Sequence, residues 1–81
     1  MNVKKAKKNE AAMFDIDDTL ISSKTGRRKE VVYKLYTLLQ RQGYKMIIVT
    51  ARPGFAKNVK WTENELASHG ITYDKLVFTP A

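Results

Sequence analysis

Cysteine is missing from this chain, and with it go disulfide staples and thiolate metal sites. No apolar run approaches the roughly 20 residues that a membrane-spanning helix needs. The opening residues Met1-Asn2-Val3-Lys4-Lys5 are not followed by the apolar core of a signal peptide. The expectation is therefore a cytoplasmic protein with no membrane partner. Acids are also few, since eight Asp and Glu stand against fifteen Lys and Arg, a formal charge of +7. A field of that sign attracts phosphates, nucleotides or nucleic acid. Much of the excess sits in Lys4, Lys5, Lys7 and Lys8 and again in Arg27, Arg28 and Lys29. Residues 1–9 read as a solvated basic tail, which leaves 10–81 as one small domain whose burial only narrowly outweighs chain entropy.

The apolar pattern of that domain is α/β. Ala11-Ala12-Met13-Phe14-Asp15-Ile16 is a short run of strand length that ends in acids, as a buried parallel strand with a functional carboxyl end would. Ser22 to Lys29 has polar residues and four cations without an apolar period, and predicts an exposed connection. From about Lys29 to Gln42, Val31, Leu35, Leu38 and Gln42 share one helical face with Val32 and Leu39 beside them, and Gly43 supplies a left-handed stop. Met46-Ile47-Ile48-Val49 is a β-branched strand that ends at Thr50 in a Pro/Gly loop. Phe55, Val59, Thr62 and Leu66 predict a second helix closed by His69-Gly70, and Leu76-Val77-Phe78 a third strand. The order β-α-β-α-β with right-handed crossovers predicts three parallel strands with helices covering the sheet faces. Ligands of such sheets collect beyond the carboxyl ends of the strands, where Asp15, Asp17 and Thr50 fall.

The stretch Asp15-Ile16-Asp17-Asp18-Thr19-Leu20 places three carboxylates in four residues directly after an apolar strand. Like charges so close raise one another's free energy unless a cation intervenes, and a hard divalent metal with oxygen ligands answers that need. Residues i and i+2 of extended backbone share a side, so Asp15 and Asp17 would face a common substrate while Ile16 points into the core. An isolated Asp-x-Asp is more often a turn or helix cap. The strand before it and the Thr-Leu after it favour function here.

Phe14-Asp15-Ile16-Asp17-Asp18-Thr19-Leu20 resembles the first motif, DxDxT, of the haloacid dehalogenase superfamily, and implies its Rossmann-like three-layer α/β/α fold, here as a partial sheet. The resemblance implies that Asp15 is the nucleophile that becomes an aspartyl-phosphate. It implies that Asp17 protonates the leaving oxygen and later activates water, that Asp15 and Asp17 hold Mg2+, and that Thr19 steadies the loop at the phosphate site. Asp18 occupies a variable position and receives no role. Met46-Ile47-Ile48-Val49-Thr50 resembles the second motif, whose hydroxyl holds the transferring phosphate, and Arg52 beyond it would bind that phosphate or the substrate's carried group. The Thr50-Ala51-Arg52-Pro53 turn is similar to that of the acid-phosphatase-like and polynucleotide-phosphatase branches.

The expected activity is thus hydrolysis of a phosphomonoester, with a nucleotide or nucleic acid end among the candidate substrates. The alternative is an inactive phosphate- or nucleic-acid-binding remnant. The resemblance places the third-motif lysine and fourth-motif acidic pair after the third strand, so neither has a place before Ala81, and the expectation is either a truncated chain or a minimal form that oligomerises. Lys57, Lys60 and Lys75 precede or flank that strand, and Asp74 lies at its wrong end. Leu20 to Lys29 is too short for a folded cap, which implies an open site. An open edge after the third strand invites self-association. Trp61, Tyr33, Tyr36, Tyr44 and Tyr73 are scattered and read as packing or partly exposed helix faces, and His69 as a helix-end cation.

Overall fold

A computed structural model of the chain describes residues 3–79. Met1 and Asn2 of the basic tail, and Pro80 and Ala81 at the other end, lie outside the described residues. The element order is β1 (Ala11–Phe14), α1 (Glu30–Arg41), β2 (Lys45–Thr50), α2 (Ala56–Ser68) and β3 (Lys75–Phe78). The strands form one parallel sheet in the order β1-β2-β3, with Phe14 beside Ile48 and Ile48 beside Leu76. β1 is therefore an edge strand of this sheet, with β2 in the centre.

Side chains alternate across the sheet. Met46, Ile48 and Thr50 of β2 are buried, and Ala12, Phe14 and Leu76 share their face and pack on the same core. Tyr36 from α1 and Leu66 from α2 both enter that single core cluster, together with Ile16, Leu20, Ile21 and Ile71. Both helices thus lie on one face, which makes two layers in place of the expected three. The reason is topological, because each right-handed crossover steps the same way along the sheet. The other face carries Ala11, Met13, Ile47, Val49 and Val77, with Met13 67% exposed.

Both helices end as glycine stops. Gly43 (φ 91°) and Gly70 (φ 69°) adopt left-handed backbone, which costs glycine nothing and other residues roughly 1–2 kcal/mol. Glu30 in the first turn of α1 and Arg41 in its last match the helix dipole. The buried face of α1 differs from the expectation. Val31 is 75% exposed, while Tyr36 is 1% exposed and Val32, Tyr33 and Leu39 pack against the core. The Tyr36 hydroxyl donates to the Thr72 carbonyl at 2.6 Å and its ring meets Phe14 edge-on at 5.0 Å. Burial of the ring with its polar tip satisfied decides the rotation. Burial also pushes the Tyr36 phenol well above its ordinary pKa.

Two basic segments are more ordered than charge runs usually are. The Ala6 N–H donates to the Gln42 carbonyl at 2.8 Å, and Lys45 N–H to the Glu10 carbonyl at 3.0 Å, so the tail is tied to the rim of the sheet from Ala6 onward. Arg28 donates to the His69 carbonyl at 2.6 Å, pairs with Glu30 at 2.9 Å and lies 3.6 Å from the centre of the Tyr33 ring. It links the start of α1 to the end of α2. Among the described residues no helix is long and apolar enough to cross a membrane.

Candidate active site at the carboxyl ends of the strands

β1 ends at Phe14, so Asp15 is the first residue past the sheet. The chain then turns sharply. The Ile16 carbonyl accepts the N–H groups of Thr19, Leu20 and Ile21 at 3.2, 2.9 and 3.0 Å, and Ile16 is fully buried as the alternation predicts. Asp18 stands in the left-handed region at φ 63°. Its carboxylate accepts the Ser23 N–H at 2.9 Å and the Ser23 hydroxyl at 2.8 Å, which holds its pKa below the ordinary carboxylate value. Asp18 therefore fixes the loop. Thr19, half-buried, lies within the same turn.

Asp15 and Thr50 come together at the carboxyl ends of the adjacent strands β1 and β2. Both line one open pocket of about 350 Å3, with Met13, Phe14, Val49, Ala51 and Thr79 completing its wall. One carboxylate oxygen of Asp15 accepts the Ile16 N–H at 2.8 Å. The Thr50 hydroxyl accepts the Arg52 N–H at 3.2 Å, which leaves its own proton free to donate. Thr79 was missed from the sequence. It follows β3 as Thr50 follows β2, and its N–H and hydroxyl donate to the Thr50 carbonyl at 2.8 and 3.2 Å. The signal was a Thr directly after the apolar run Leu76-Val77-Phe78.

Asp17 and Arg52 are placed together but do not line that pocket. The Arg52 fork grips Asp17 with Nε at 3.0 Å from Oδ2 and Nη2 at 2.8 Å from Oδ1. Nη1 donates to the Thr62 hydroxyl at 3.1 Å and lies 2.8 Å from Glu65 Oε1. That Glu65 oxygen is buried and receives no aligned N–H, so its link to Arg52 is an ion contact and the directed bond goes to Thr62. The Asp17 and Glu65 carboxylates push the Arg52 guanidinium pKa far upward. Arg52 is expected from the sequence to bind phosphate, and here its fork is occupied by protein. The two carboxylates of the motif also diverge from a shared target, because extended backbone stops at Phe14 and Asp17 already belongs to the turn.

Among the described residues no three His, Asp or Glu side chains converge to cage a metal. A magnesium ion is satisfied by one or two carboxylates, with water and phosphate oxygens for the rest, and the Asp15 carboxylate at the pocket wall fits that donor set. Trp61, read from the sequence as packing or a partly exposed helix face, is 59% exposed, and Phe55 is 60% exposed. Compared with known proteins, the chain matches no family model, no curated protein and no solved structure.

Proposed function

We propose that this chain carries the nucleophile end of a phosphomonoesterase of the haloacid dehalogenase type. The observation that supports it is that Asp15 and Thr50 both line one open pocket beyond two adjacent parallel strands. That position is where ligands of open α/β sheets bind. The Thr50 proton and the strand-end backbone would orient the phosphoryl group while an Asp15 oxygen attacks phosphorus. The bond to the leaving oxygen breaks as that oxygen takes a proton from Asp17. Water then attacks the aspartyl-phosphate, Asp17 accepts its proton, and the Asp15 carboxylate is released. Magnesium held by Asp15 would supply charge neutralisation to the phosphoryl oxygens. Both Asp17 oxygens are bound by Arg52, so the proton-transfer role requires the Arg52 side chain to swing away, and a swung guanidinium would reach for the phosphate.

The pairing of Asp17 with Arg52 favours a second reading, a phosphate-binding module that does not turn over. One assay separates the two. In the longest native chain, with magnesium present, the first reading expects hydrolysis of p-nitrophenyl phosphate that Asp15→Asn reduces to background while the circular dichroism spectrum stays unchanged. Turnover retained by Asp15→Asn ends the first reading. Magnesium-dependent binding of inorganic phosphate without hydrolysis selects the second.

A further inference from the structure

A groove wider than the one at the strand ends lies elsewhere. It lies on α2, measures about 770 Å3 and is lined by Ala56, Lys57, Asn58, Lys60, Trp61 and Asn64. Lys57, Lys60, Trp61 and Asn64 stand at i, i+3, i+4 and i+7, one stripe of the helix. None of the lining residues is acidic. The two acids of α2 are turned elsewhere, Glu65 onto Arg52 and Glu63 onto a groove with Ile71 and Tyr73. The chain's single tryptophan therefore stands 59% exposed between two lysines. The Arg52 guanidinium lies 5.1 Å from its ring centre, which fixes the indole from one side without covering it. Phe55, 60% exposed, directly precedes Ala56 of the groove.

We infer that this stripe is a binding surface for single-stranded nucleic acid, with Trp61 stacking on a base and Lys57 and Lys60 on the flanking phosphates. An anionic peptide would satisfy the lysines and leave the indole face in water. A base offers a flat π-face to Trp61 and polar edges to Asn58 and Asn64, and its backbone carries the charge that the lysines match. The net charge of +7 draws such a strand in. Arg52 touches both Trp61 and Asp17, so the groove and the candidate catalytic end of the sheet meet at one side chain. The strand's role as the phosphatase substrate rests on the reading above, whereas the binding surface does not.

Trp61 is its own probe. Titration of the 81-residue chain with an unphosphorylated thymidine octanucleotide at low salt is expected to quench its fluorescence. Anisotropy of a labelled octanucleotide should show affinity falling about ten-fold or more in Trp61→Ala, in keeping with the loss of one stacked base, and staying near wild type in Trp61→Phe. Lys57→Glu with Lys60→Glu should weaken binding and flatten its salt dependence by roughly 1.4 in the log-log slope. Absence of quenching, equal quenching by polyglutamate, quenching by mononucleotide alone, or unchanged affinity in Trp61→Ala overturns the inference. Octanucleotide binding together with aryl phosphate turnover that Asp15→Asn leaves intact would reject the phosphatase reading and leave the surface standing.

Discussion

Arg52 binds Asp17, Thr62 and Glu65 and touches Trp61 through one guanidinium, with its side chain only 12% exposed. Arg52→Ala would strip the Glu65 carboxylate, 19% exposed, of its counter-charge. A half-buried charge left alone costs about 1–3 kcal/mol, which should appear as a lower urea midpoint. Arg52→Lys should recover only part of that loss, because an ammonium cannot make the two-pronged bond to Asp17. Asp18 gives a pH dependence of definite sign. Its folded pKa lies below the ordinary value of 3.8 because the Ser23 N–H and hydroxyl bond the ionised form. Its contribution is therefore complete above that ordinary value and is lost as pH falls through the folded one. Ser23→Ala removes the hydroxyl and keeps the N–H, so its acid unfolding midpoint, followed by circular dichroism, should move to higher pH. Neither Arg52's pairing nor Ser23's bond was legible in the sequence, since the first joins residues 35 apart and the second residues 5 apart across an irregular turn.

The elements themselves were largely legible, because hydrophobic period and glycine stops are local signals. Three strands, two helices and the stops at Gly43 and Gly70 fall close to where the sequence placed them. What local signals did not carry was rotation. The face through Val31, Leu35 and Leu38 competes with one through Val32, Tyr36 and Leu39, and the winner is set by Thr72, which lies 36 residues from Tyr36 in the chain. The consequence can be measured on α1. Tyr36→Phe keeps the ring against Phe14 and leaves the Thr72 carbonyl only the longer bond from the Gln40 amide at 3.4 Å, a loss of about 1 kcal/mol, whereas Tyr36→Ala empties the core for about 3–5 kcal/mol. Val31→Ala, on the exposed face, should stay within about 0.5 kcal/mol of wild type. If Val31→Ala costs as much as Tyr36→Phe in equilibrium unfolding, the helix is rotated towards the face that periodicity favoured. The candidate site divides in the same way. The positions of Asp15 and Thr50 follow from strand order, while the capture of Asp17 and the approach of Thr79 depend on contacts between distant segments.

At the scale of the molecule, the sheet has one face under two helices and one face without a covering element among the described residues. The bare face is apolar at Met13, Ile47, Val49 and Val77, with Lys45 and Lys75 at its start. The strand edges at β1 and β3 add backbone groups able to pair with another chain. Exposed apolar surface of this kind drives association, but a charge of +7 on every copy opposes it. The balance fixes the sign of the salt effect. Added sodium chloride screens the repulsion and leaves the apolar attraction intact, so the weight-average mass in sedimentation equilibrium should rise with both protein concentration and salt. Val77→Lys, which places a charge on the bare face at β3, should return the chain to a monomer at the same concentration, whereas Val31→Lys on the exposed face of α1 should not. A mass that falls as salt is added would mean that ion pairs hold the copies together, and that the bare face of the sheet is not where they meet.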